Sequence, residues 1–155
     1  MGAAYFYHLT QTSMDVTLPR LLEKARGAGW AIVVRGVEAG RMEWLDQKLW
    51  LLGDESFLAH GLAGGKHDAL QPVLLTTQTE IPNGATCLMS VDGANISADE
   101  VKTAERVCIL FDGHDPDAVQ QARSQWKMLT DAGCAAQYWS EETGNWQKKA
   151  ESGGS

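Results

Sequence analysis

Residues 30–34 read Trp30-Ala31-Ile32-Val33-Val34, a short run of apolar side chains without a polar interruption. A strand with one wet face alternates apolar and polar residues, whereas an unbroken run fits a strand covered on both faces, the habit of parallel sheets. Outward from it toward the N-terminus, Gly27 and Gly29 bracket the end of a helix expected over residues 18–28, with Pro19 suited to its first turn. A first strand is expected over 5–9. Toward the C-terminus, Met42, Leu45, Leu49 and Leu52 recur at three- and four-residue spacing, which predicts an amphipathic helix over 39–52.

The rhythm breaks at residues 56–70, where Gly61, Gly64, Gly65 and two histidines predict a long surface loop. Strands are expected again over 73–77, 86–91 and 106–111. A helix follows over 116–131, stopped by a glycine cap at Gly133, and a last strand over 136–139. Alternating strands and helices predict one α/β domain, a mostly parallel sheet with flanking helices, over residues 1–149. Residues 150–155, ending Glu151-Ser152-Gly153-Gly154-Ser155, are expected to be a flexible polar tail of linker-like composition.

Bulk composition narrows the function. The 155 residues carry 20 acidic against 13 basic side chains, a formal net charge of -7, which argues against direct binding of nucleic acid through its phosphates. The N-terminus Met1-Gly2-Ala3-Ala4-Tyr5-Phe6 lacks the basic and apolar regions of a signal peptide, and no uncharged run reaches membrane-spanning length. The expected compartment is therefore the cytoplasm. The 3 cysteines, Cys87, Cys108 and Cys134, sit in apolar stretches without C-x-x-C spacing, and are expected to be free, buried thiols.

A parallel sheet invites a nucleotide or an active site at its strand ends. Neither G-x-G-x-x-G after a strand nor G-x-x-x-x-G-K-[ST] occurs, and no cofactor is expected. The 4 histidines never form H-E-x-x-H, no G-x-S-x-G elbow offers a nucleophile, and no metal site is expected. His60 and His67 flank the glycine loop and read as solvated loop histidines, with metal binding there as the alternative. Phe111 and His114 mark the strand end where an α/β enzyme would place its chemistry, but Asp115 beside them reads more simply as a helix N-cap. Glu141 and Glu142 read as a solvated face. The chain is expected not to be an enzyme, with a diverged α/β enzyme acting near Phe111 and His114 as the alternative.

Several short motifs, in order, resemble the chi subunit of bacterial DNA polymerase III, an accessory subunit of the clamp loader. They are the aromatic strand Tyr5-Phe6-Tyr7, Leu45-Asp46-x-x-Leu49-Trp50 followed by Ser56-Phe57-x-x-His60, and Ala122-Arg123-x-x-Trp126-Lys127 leading to Ala132-Gly133 and Gly144-Asn145-Trp146. The resemblance spans nearly the whole chain. It implies a nucleotide-binding-like fold that has no nucleotide site and works by binding proteins. One implied partner is the C-terminal tail of single-stranded-DNA-binding protein, an acidic peptide ending in proline-phenylalanine with a free carboxylate.

The residue types at 123–127 suit that ligand. Arg123, Trp126 and Lys127 lie at i, i+3 and i+4 of the expected helix and share a face. A guanidinium grips a carboxylate in bidentate fashion, an ammonium adds a point charge, and an indole offers apolar surface to a phenylalanine ring. The bland alternative makes Trp126 a core residue and the two cations solvated helix charges. The family commonly has tyrosine where Trp126 stands. A second surface is expected at Trp50 and Phe57, large aromatics left over once the helix has turned its core face inward, with Trp44 as a competitor. The resemblance implies that this surface takes the clamp-loader subunit psi or, alternatively, a helicase.

Overall fold

The computed structural model describes residues 3–50, 60–64, 68–141 and 146–152. Among these the elements run β1 (Ala3–Leu9), α1 (Met14–Gly27), β2 (Ile32–Arg35), α2 (Ala39–Trp50), β3 (Gly61–Leu62), β4 (Val73–Thr76), β5 (Cys87–Ser90), α3 (Ala98–Thr103), β6 (Arg106–Asp112), α4 (Pro116–Asp131), β7 (Ala135–Ser140) and β8 (Gln147–Ser152). The strands form one sheet in the order β3-β4-β2-β5-β6-β1-β7-β8, parallel throughout except that β8 pairs antiparallel with β7. The expected α/β class holds.

Of the run at 30–34, residues 32–34 behave as read, while Trp30 and Ala31 precede the strand and are half-buried. Every residue of β2 is buried, with Ile32 and Val34 in the core on one face and Val33 in the core on the other. Helices cover both faces. Leu18 and Leu22 of α1 with Met42, Leu45 and Leu49 of α2 fill the first core, while Val101 of α3 with Ala122 and Leu129 of α4 fill the second. Full burial of one such leucine stabilises the fold by about 1.5–3 kcal/mol. All three cysteines are buried and free.

Four details differ from expectation. Helix α1 starts at Met14, after Ser13, so Pro19 lies inside it and beyond the first turn. Helix α3 was not anticipated, although Ser97 and Glu100 form a capping box in which the serine hydroxyl accepts from the Glu100 N–H and the Glu100 carboxylate accepts from the Ser97 N–H. The long loop expected over 56–70 contains the short strand β3 at Gly61–Leu62, paired with β4; Leu52, expected in the second helix, and Gly65 of that loop lie outside the described residues. Finally, Ala150, Glu151 and Ser152 are part of strand β8 where composition predicts a tail. Hydrogen bonding to the edge of β7 offsets the cost of ordering a polar segment whose side chains are mostly exposed.

Candidate functional site

Helix α4 is built to present one face. Asp115 caps it, its carboxylate accepting from the N–H groups of Asp117 and Ala118, and Pro116 occupies the first turn where no N–H is needed. Gly133 follows its end with φ 88°, a left-handed conformation that closes the helix without a Cβ penalty. Ala122, Gln125 and Leu129 are buried against the sheet, which leaves Arg123, Lys127 and Met128 exposed on the outer side.

The structure brings Arg123, Trp126 and Lys127 together as the spacing predicts, with a division of labour. Trp126 is half-buried, edge-on to Phe6 of β1 at 5.4 Å and to Tyr138 of β7 at 6.1 Å between ring centroids. It is packed against the second core and partly open on the outer side of the helix. The Lys127 ammonium donates to the Asp131 carboxylate at 2.8 Å, one turn on, and this hydrogen bond raises the lysine pKa. Arg123 makes no ion pair among the described residues. An anion arriving at this face therefore meets a guanidinium with open donors and an ammonium shared with a carboxylate.

The second expected surface is described only in part. Trp50 ends α2, and Phe57 lies outside the described residues. Trp44 is exposed on the outer side of α2, with the Arg41 guanidinium 4.5 Å and the Lys48 ammonium 5.5 Å from its ring. His60 is buried, contrary to its reading as a solvated loop histidine, with Nε2 3.1 Å from Asp46 Oδ1 and 3.2 Å from the Asp46 carbonyl. That contact ties the chain at 60 back to α2 and gives a physical reason for Asp46 and His60 to occur in one motif. His67 lies outside the described residues.

A crevice of about 830 Å³ opens at the carboxyl ends of the parallel strands, lined by the turns after β1, β2, β5 and β6. In an α/β sheet this is the usual ligand position. Phe111 and His114 line it, but the His114 ring nitrogen Nε2 is engaged with the Thr10 carbonyl at 2.8 Å. The turn after β1, where a nucleotide-binding fold would receive a phosphate, points three backbone N–H groups at a single acceptor: those of Thr10, Gln11 and Thr12 donate to Glu141 Oε1 at 3.1, 2.9 and 2.7 Å. Thr12 Oγ1 donates to the same carboxylate. Glu141 is thus buried and structural, which corrects its reading as part of a solvated face; Glu142 lies outside the described residues. Burial alone would raise the Glu141 pKa, but the hydrogen bonds from Thr12, Gln11 and Thr10 outweigh it and hold the carboxyl below its ordinary range. The protein supplies its own anion where a phosphate would bind.

Two further arrangements escaped the sequence reading. Arg35, at the end of β2, is buried and donates to both oxygens of Glu100 at 3.0 and 2.8 Å and to the carbonyls of Gln78, Thr79 and Asn95. The capping box at Ser97 and Glu100 was the available signal for one end of that network. Arg41 and Asp92 pair across the crevice mouth at 3.1 Å, and nothing in the sequence links residues 51 positions apart. Among the described residues no group of three or more His, Cys, Asp or Glu could hold a metal ion, and no helix is long and apolar enough to cross a membrane.

Comparison with known proteins adds a family to this geometry. The sequence profile of the family described as "DNA polymerase III chi subunit, HolC" matches residues 1–137. A Rickettsia prowazekii (strain Madrid E) protein named "Probable DNA polymerase III subunit chi" is 24% identical over 111 residues, covering 68% of this chain and 67% of the relative.

Proposed function

The chain belongs to the DNA polymerase III chi subunit family, whose members are accessory subunits of the replisome, and from that premise we propose that it is a non-enzymatic, cytoplasmic adaptor joining two partners. One is the C-terminal tail of single-stranded-DNA-binding protein, held by Arg123, Trp126 and Lys127. The other is the psi subunit of the clamp loader, or a helicase in its place, held at Trp50 and Phe57. No cofactor, direct nucleic-acid contact or membrane is involved in this reading.

The observation that carries the tail assignment is the layout of α4. A guanidinium without an ion-pair partner among the described residues and an ammonium flank an indole that is open on one side and backed by Phe6 and Tyr138 on the other. A terminal phenylalanine can lie against the indole while its carboxylate meets Arg123. The strand-end crevice, whose lining includes Glu38, Asp92, Asp112, Asp115 and Asp117, repels an acidic peptide and so favours the α4 face. Weak attachment there becomes useful through multivalency, since coated DNA displays several tails and the other face is held in the polymerase assembly.

Calorimetric titration of wild type and Arg123→Ala with a tail peptide in acid and amide form tests this. A charge-assisted hydrogen bond is worth about 1.5–3 kcal/mol, so Arg123→Ala should weaken binding about tenfold to hundredfold. Amidation should mimic the mutation and add little to it. Lys127→Ala should cost less, because that ammonium is solvated, screened and shared with Asp131. Additive losses from mutation and amidation would show that Arg123 does not hold the terminal carboxylate. Trp50→Ala or Phe57→Ala should release psi in gel filtration while leaving the peptide bound.

A further inference from the structure

The crevice at the strand ends is filled by nothing in the adaptor reading, and its chemistry is not that of a nucleotide site. Its lining includes the carboxylates of Glu38, Asp92, Asp112, Asp115 and Asp117 against the single guanidinium of Arg41, which is already paired with Asp92. Backbone amides satisfy Asp112 and Asp115 as acceptors but do not neutralise their charge. The amides that could have cradled a phosphate are taken by Glu141. A phosphate would enter a negative field and find the amides of the first turn already engaged.

The same crevice has an apolar component at its mouth. Val37 and Trp44 line it and are 55% and 37% exposed, and half-buried Met14 lines it too. An open cleft of about 830 Å³ with an apolar strip and an acidic rim is complementary to a chain segment, not to a small anion. We infer that the strand-end crevice is a third protein-docking site, which takes a basic segment of a partner protein: an apolar side chain seated against Met14, Val37 and Trp44, flanked by lysine or arginine paired with Glu38 and Asp117. Glu38 and Asp117 are exposed and make no side-chain hydrogen bond or ion pair among the described residues, so their charge is available to such a ligand. The site is independent of the α4 face, which selects the opposite charge.

The test uses a fluorescently labelled peptide of sequence KKLFKK, blocked at both ends, with EELFEE and KKGSKK as controls, read by fluorescence anisotropy on the full chain. KKLFKK should bind best, and its affinity should fall as salt rises from about 0.05 to 0.5 M. The double variant Glu38→Lys/Asp117→Lys should weaken it about tenfold. Glu23→Lys/Glu105→Lys, with the same change in net charge on exposed positions away from the crevice, and Arg123→Ala should leave it intact. In wild type, amide NMR shifts caused by KKLFKK should concentrate in residues 10–13, 37–44 and 112–121, a readout that does not depend on any variant folding. Equal loss in the two double variants, binding of KKGSKK as tight as that of KKLFKK, or shifts centred elsewhere would overturn the inference. So would displacement of KKLFKK by ATP, or sedimentation showing that a second copy of the chain occupies the crevice.

Discussion

Glu141 joins the end of β7 to the turn after β1 through one carboxylate, and its hydrogen bonds favour the charged form. A carboxyl whose folded pKa is depressed contributes stability that is fully present above its unfolded pKa, about 4.3 for glutamate, and is lost as pH falls through the folded value. Glu100, held low against its own desolvation by hydrogen bonds from Arg35 and Ser97 and by the arginine charge, acts in the same direction. Thermal denaturation should therefore show stability declining as pH drops below about 5. Glu141→Gln keeps the shape and one carbonyl acceptor but not the charge. It should cost about 1–3 kcal/mol at pH 7, and should flatten the acid limb of the stability profile, since the variant has one fewer group to protonate. An acid limb as steep as in wild type would mean that Glu141 is not ionised in the folded protein.

At the level of elements, α4 carries both the candidate peptide face and part of the second core, so its ends control function and stability together. The turn at Gly133 needs a left-handed residue, and a Cβ there would meet nothing within 4 Å. The cost of Gly133→Ala is then backbone strain alone, about 1 kcal/mol, and Gly133→Asn should cost less because asparagine tolerates that conformation. Denaturant unfolding of the two variants should rank them in that order, with tail-peptide affinity unchanged in both, since residues 123–127 lie more than a turn from the cap. Equal losses would show that the cap works by something other than φ. This helix was legible from its boundary signals because Asp115, Pro116 and Gly133 are local devices that work within a few residues of the backbone groups they satisfy. Helix α3 carried the equally local Ser97 and Glu100 box, yet its 6 residues are too few for apolar periodicity to draw attention to it.

On the scale of the whole molecule, β8 adds backbone pairing to the sheet but almost no buried side chain. A chain ending at residue 146 should keep its fold and both cores, unfold at a lower temperature, and self-associate more, because removal of β8 leaves β7 as an unpaired edge. Light scattering against concentration checks this, and a truncated chain as monomeric as the full one would show that β7 is protected in another way. Much of the architecture was readable from sequence alone: the two-sided burial of residues 32–34, the alternation of strands and helices, the limits of α4 and the helical phase shared by Arg123, Trp126 and Lys127. Each of these depends on periodicity or on contacts a turn or less apart. Only the folded chain decided that Glu141 fills the amide nest 129–131 residues away, that Arg35 meets Glu100, that Trp126 rests on Phe6 and Tyr138, and that the carboxylates of three separate turns face one crevice. The reason is physical: periodicity records which side of an element is buried, whereas strand order determines which distant groups meet, and the order β3-β4-β2-β5-β6-β1-β7-β8 is set by how the whole sheet closes its two cores.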